Sequence, residues 1–214
     1  IQLMIGLPGD SLETCIYSAE ETVKLKPSLT RLYPTIVIDD TELLEMYERG
    51  EYKPLSREDA VTRTAAMYKI LDDAGITIMR VGLKSTDIIG EGGSINGGTY
   101  HPAFRQLVEG RIARDEIEPQ LDRIVAEIRE LRDKSCELIA NNLQGRDLVN
   151  ESFNQQRLSR VKVDVFSSPK WFPNAVGNGG ENKTYFEEKY PELSIKFRVD
   201  DSLEAAQFRI NCDI

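Results

Sequence analysis

Histidine and cysteine are scarce, with one His and three Cys among 214 residues. His101 alone cannot build a multi-ligand metal centre. It precedes Pro102, where a packing or N-capping role is expected rather than a catalytic one. Cys15, Cys136 and Cys212 lie far apart in the chain. Iron–sulfur clusters need closely grouped thiolates, so no metal site is expected within this chain. An odd cysteine count without a disulfide framework fits a reducing compartment, and a cytoplasmic location is the expectation. Long apolar runs are also absent. None approaches the ~18 residues of a membrane span, and no signal peptide is visible, so no membrane partner is expected. Positive charge is in deficit: 27 Lys and Arg face 36 Asp and Glu, for a net charge of -9. That balance argues against a general polyanion-binding surface. Methionine is missing from the first position, which is Ile1. A chain that opens inside a buried strand reads as a fragment, because the strand would lie on a sheet edge.

What is present begins with Gln2-Leu-Met-Ile-Gly-Leu-Pro-Gly-Asp10. Leu3 to Leu7 is apolar without a polar face, as in a strand buried on both sides of a parallel sheet. Pro8-Gly9 stops it, and Asp10 or Ser11 caps a helix toward Lys26. The pattern recurs. A second strand spans Thr30 to Ile38 and is followed by a helix from Thr41 to Glu48. Ser56, with Asp59 three residues on, opens a longer helix that ends at Ala74-Gly75. A third strand spans Ile76 to Leu83. Three βα units imply parallel strands with right-handed crossovers. Periodicity alone leaves both an open sandwich and a partial barrel. In either, the loops at the strands' C-terminal ends carry ligands.

The glycine-rich stretch 85–100 follows the third strand. It reads equally as a surface loop or as a lid over the sheet's ligand end. Apolar residues recur at three and four from Pro102 to Lys134, as in an amphipathic helix that Pro119 breaks or kinks. Cys136 to Ala140 could form a strand, and 141–156 a loop or short helix. Val161 to Phe166 alternates as a half-buried strand. Ser167-Ser168-Pro169 then starts a short helix, Glu181 to Lys189 forms another, and Leu193 to Val199 alternates again.

Four stretches carry a resemblance: QLMIGLPGD, RLYPTIVIDDTELLEMYERGEYKPLSREDAV, ITIMRVGL and TYHPAFRQLVEGRI. In this order they resemble the later half of a radical SAM barrel of the elongator catalytic-subunit-like subfamily. Its relatives are often labelled oxygen-independent coproporphyrinogen III oxidase-like. The most specific part is Tyr33-Pro34-Thr35 followed by Asp40-Thr41-Glu42-Leu43. The resemblance covers about residues 1–115 and implies an α/β fold with a partial (βα) barrel there; residue patterning adds a helical and irregular connection at 116–160 and a smaller α+β domain at 161–214. It implies an oxidoreductase-type parent enzyme that uses S-adenosylmethionine and a 4Fe-4S cluster, with a tRNA wobble uridine as substrate. The cluster ligands, in C-x3-C-x2-C spacing, would lie in a missing N-terminal half, and the fragment alone would be inactive. No acetyltransferase domain is visible, so acetyl-CoA chemistry is not supported. Met4, Gly6, Pro8, Gly9, Tyr33 and Arg80 would approach the cofactor. Tyr33 could instead top the core, and Arg80 could pair with a helix carboxylate. A second copy or the helix after Pro102 should cover the open edge at Ile1 to Leu7.

The β-α-GxxG-α-β order at 161–199 is similar to the core of a KH domain. Gly177-Asn178-Gly179-Gly180, with Lys183 on the next helix, would then clamp an RNA backbone. Two features depart from that pattern: the loop is not basic, and 161–200 is balanced in charge. Three readings therefore stand. They are a radical SAM fragment acting on tRNA, a porphyrinogen oxidase-like oxidoreductase, and a non-enzymatic RNA-binding module. An αα-turn with glycine at a helix C-cap would explain the loop without RNA.

Overall fold

A computed structural model describes residues 1–86, 89, 95–142 and 160–212, with side chains of 136–142 excepted. The chain divides into two compact units, Ile1–Ile112 and Ala113–Ile214.

In the first unit β1 (Gln2–Ile5), β2 (Leu29–Pro34) and β4 (Thr77–Val81) form a sheet in the order β1-β2-β4. Both pairings are parallel, as the apolar strands and helical crossovers required. The crossovers are α1 (Leu12–Leu25) and α3 (Arg57–Asp73). Ser11 caps α1 in a capping box with Thr14, and Ser56 caps α3 by accepting from the Asp59 N–H. Thr41 caps the short α2 (Glu42–Glu48). Ile5, Leu32 and Ile78 from the strands and Cys15, Ala19, Ala65 and Leu71 from the helices are all buried. Among the described residues no helix packs over the other face, which carries Met4, Arg31, Tyr33 and Arg80. A bulge between Thr30 and Arg31 shifts the register, so that Arg31 lies beside Arg80 rather than Met79.

The second expected strand is in fact two. Pro34 closes β2, because it has no N–H to offer a ladder. After Thr35 the chain leaves the parallel sheet as β3 (Ile36–Ile38) and pairs antiparallel with β5 (Ile95–Gly98). Thus part of the glycine-rich stretch is a strand. Its residues 87, 88 and 90–94, on which the lid reading rests, lie outside the described residues. Gly98, at φ 91, leaves no room for a Cβ, which would sit 2.7 Å from the Thr35 carbonyl.

α4 (Phe104–Asn142) runs unbroken through Pro119, against the expected break. Pro119 is exposed, while Ala113, Ile117, Leu121, Val125 and Ile128 bury one stripe of the helix. Burial of that stripe outweighs the ~3 kcal/mol that an interior proline costs. Cys136 to Ala140 belongs to this helix and is not a strand. His101 caps its start, as its Nδ1 accepts from the Ala103 N–H at 3.1 Å.

In the second unit β6 (Val161–Ser167) lies between β7 (Leu193–Val199) and β8 (Phe208–Cys212). β6 runs parallel to β7 and antiparallel to β8. α5 (Phe172–Val176), a 3-10 turn (Asn178–Gly180) and α6 (Glu181–Lys189) join the parallel pair. The short helix starts at Phe172, not at Ser167-Ser168-Pro169, and its first turn holds Pro173. Ser167 completes β6, and the Ser168 carbonyl accepts from Trp171 and Phe172. Val163, Val165, Leu193 and Ile195 pack with Phe186, Tyr190 and the α4 stripe on one face of this sheet.

Candidate functional site

The loop after β1 is a tight turn. The Asp10 N–H donates to the Leu7 carbonyl at 3.0 Å, and Gly9, at φ 79, supplies the left-handed position of a type II turn after Pro8. Asp10 gathers the loop. Its carboxylate accepts from the Gly6 N–H at 2.8 Å, the Cys15 thiol at 3.2 Å and the Thr14 hydroxyl. Partial burial pushes the Asp10 pKa up. The Thr14, Gly6 and Cys15 hydrogen bonds, with the Arg63 charge, outweigh that and leave it lowered. Burial and Asp10 push the Cys15 thiol up to about 12, so it behaves as a core residue and not a thiolate. Gly6, at φ 89, leaves no space for a Cβ, which would meet Leu55 at 2.7 Å. The Gly6 carbonyl accepts from Tyr52 at 2.6 Å. Both polar groups of the Gly6 backbone are therefore engaged within the protein, while Pro8 and Gly9 are exposed.

The uncovered face of the parallel sheet holds the other sequence-predicted residues. Met4 lies beside Tyr33, and Arg31 lies between Gln2 and Arg80. In a parallel sheet, partners in register point to one side. Met4, Arg31, Tyr33 and Arg80 therefore share this face, opposite buried Ile5 and Leu32. Met4 is 49% exposed, Arg80 is exposed, and Tyr33 is half-buried. Arg80 makes no ion pair with a helix carboxylate among the described residues. Arg31 is the addition that sequence reading missed. Its Nε is buried and has no hydrogen-bond partner among the described residues. A charged residue inside the strand Leu29 to Pro34 was the available signal, since a buried polar group requires a partner. The arrangement offers two guanidiniums, a phenol and a thioether on one open surface, suited to an anionic ligand with apolar parts. β1 has no strand on its outer side among the described residues. Ile1, Met4 and Leu7 remain exposed.

Among the described residues no group of His, Cys, Asp and Glu side chains is placed to hold a metal ion. Cys15 and Cys212 form no disulfide among the described residues, and two thiols this far apart in the chain do not fit an iron–sulfur cluster. No helix of the described residues is long and apolar enough to cross a membrane.

In the second unit Gly177 to Gly180 does lie between two helices. Gly177 combines φ 86 with ψ 160, and a Cβ there would come within 2.6 Å of the Asn182 nitrogen. Asn182 is buried, donates to the Asn174 carbonyl and accepts from Arg114. Packing against Asn182 thus accounts for Gly177. A Cβ at Gly179 or Gly180 would meet nothing within 4 Å. Asn178 is half-buried, and Lys183 is exposed and pairs with Glu187 at 3.9 Å.

Comparison with known proteins bears on the first unit. Residues 27–114 match the Radical_SAM C-terminal domain. The chain is 42% identical over 62 residues to a tRNA uridine(34) acetyltransferase of Methanocaldococcus jannaschii, and 40% identical over 62 residues to that of Methanocaldococcus infernus. Each match covers 28% of this chain and 12% of the relative. The chain thus spans about an eighth of the length of these curated relatives. A solved structure of the M. infernus Elp3, with residues 1–46 deleted, is 29% identical and superposes with a TM-score of 0.43. That superposition covers 52% of this chain and 25% of the other.

Proposed function

We propose a function from one premise: residues 27–114 are the C-terminal part of an elongator-like radical SAM protein. In this reading the first unit is part of a barrel wall, and its open face borders the S-adenosylmethionine and substrate cavity of a tRNA-modifying enzyme. The relatives named for tRNA uridine(34) support RNA as the substrate class. The observation that carries the reading is Arg31, on the same face as Arg80, Tyr33 and Met4, whose buried Nε lacks a partner among the described residues. Arg31 and Arg80 would take the carboxylate of S-adenosylmethionine. Tyr33 and Met4 would pack against its adenosine. The Asp10-centred loop would hold β1 in place without contributing its own Gly6 N–H. When bound at a 4Fe-4S cluster, S-adenosylmethionine supplies a carbon radical on one-electron reduction. The thiolates for that cluster belong to the complementary half of the barrel, which would also pair with the outer side of β1. Alone, the chain would use a second copy for that edge.

The test mixes this chain with the cluster-bearing half, reconstituted anaerobically, and measures labelled S-adenosylmethionine binding by equilibrium dialysis. Each of Arg31→Ala and Arg80→Ala should weaken binding about tenfold, as expected for removal of one charge-assisted hydrogen bond. Equal affinity in the parent and both variants would remove the cavity role from this face.

A further inference from the structure

The second unit has an open face of its own. Residues of β6, β7 and β8 alternate between the buried cluster and the other side of the sheet. Phe166 stands on that other side, on the central strand. Its cross-strand partners are Arg198 on β7 and Arg209 on β8. The Arg209 guanidinium lies over the Phe166 ring at 4.9 Å from its centroid. Lys162 and Lys196 share the same face. Both are exposed and have no ion-pair partner among the described residues. Asp164 pairs with Arg198 at 2.9 Å, and Asp200, at the rim, pairs with Arg209 at 2.6 Å. Lys162, Lys196, Arg198 and Arg209 against these two carboxylates leave a local excess of two positive charges. The chain as a whole carries -9.

We propose that this face binds single-stranded RNA, with Phe166 and Arg209 as a stacking platform for a base and Lys162 and Lys196 on flanking phosphates. Three observations favour a nucleic acid over an acidic peptide. An aromatic ring and a stacked guanidinium offer a π surface that a base can extend. Lys162 precedes Asp164 on β6, and Lys196 stands across from Asp164 on β7, so the two ammonium groups trace a path that leads to the ring. Asp164 and Asp200 orient the two arginines, and orientation is what stacking needs and simple charge attraction does not. The inference goes beyond the cavity reading and stands on the second unit alone. It also differs from a KH-like contact at Gly177 to Gly180, which lies at the end of α5 and not on this face.

The test is fluorescence anisotropy of the 214-residue chain with a labelled RNA of about 12 nucleotides and mixed sequence, without S-adenosylmethionine, at about 50 and 200 mM salt. Lys162→Gln/Lys196→Gln should lower affinity about tenfold or more at the lower salt. It should also flatten the salt slope by about 1.4, or about 0.7 for each phosphate no longer neutralised. Phe166→Leu keeps an apolar residue but removes the ring, and should lower affinity about tenfold without changing the salt slope. Circular dichroism melts confirm that each variant is folded. RNA that fails to bind the parent overturns the proposal. So does equal binding by parent and lysine variant, or weakening only on Asn178→Asp/Gly179→Asp, which would place the RNA at the glycine loop. Displacement of RNA by polyglutamate at equal charge would reduce the face to a general anion site and overturn it as well.

Discussion

Gly177 and Gly179 look alike in the sequence and are held by different physics. Gly177 sits in backbone space that only glycine occupies comfortably, and any Cβ would strike the Asn182 backbone. Gly179, at φ 60, faces open space and bears only the cost of a left-handed residue. Gly177→Ala should therefore destabilise the second unit by about 1–3 kcal/mol. Gly179→Ala should cost about 1 kcal/mol. Urea midpoints measure both, and equal costs would refute the packing account of Gly177. The GxxG spacing was legible from the chain, but its cause was not, because Asn182 becomes a neighbour only once α6 folds back. Arg31 shows the same limit. Its position within a strand was plain, yet its lack of a partner depends on where every other side chain lies.

Among the elements, α4 separates local from tertiary control. Local rules expected Pro119 to break or kink it, and the buried stripe carried the helix through without a break. Pro119→Ala restores an N–H at an exposed position and removes the ring's clash with the preceding turn. It should raise the melting temperature, by up to the equivalent of ~3 kcal/mol. A lower melting temperature would mean that proline fixes a geometry which the unit needs. The βα units of the first half were readable because their strands are rich in apolar residues and their helices are capped by Ser11, Thr41 and Ser56. The split at Pro34 was hidden because strand-favouring residues, Leu32 and Tyr33 before it and Ile36, Val37 and Ile38 after it, stand on both sides. β8 escaped notice because five alternating residues, Phe208 to Cys212, carry little signal until β6 offers an edge.

Across the whole molecule, acidic composition concealed where positive charge collects. The net charge of -9 is an average over all residues. Arg31 with Arg80 in one unit, and Lys162, Lys196, Arg198 and Arg209 in the other, stand on sheet faces left bare by the helices. Alternation along strands brings such residues together, and a count of residues cannot show it. The bulge beside Arg31 has a further consequence. By setting two guanidiniums next to each other on adjacent strands, it places like charges in register, which costs about 0.2–1 kcal/mol. The sheet thus carries a repulsion that a bound anion would relieve, so ligand affinity and folding stability draw on the same pair. Arg80→Gln should accordingly melt at a higher temperature than the parent at low ionic strength. That gain should vanish near 1 M salt, where the screening length falls to ~3 Å. A gain that persists in salt would show that the two charges do not oppose one another.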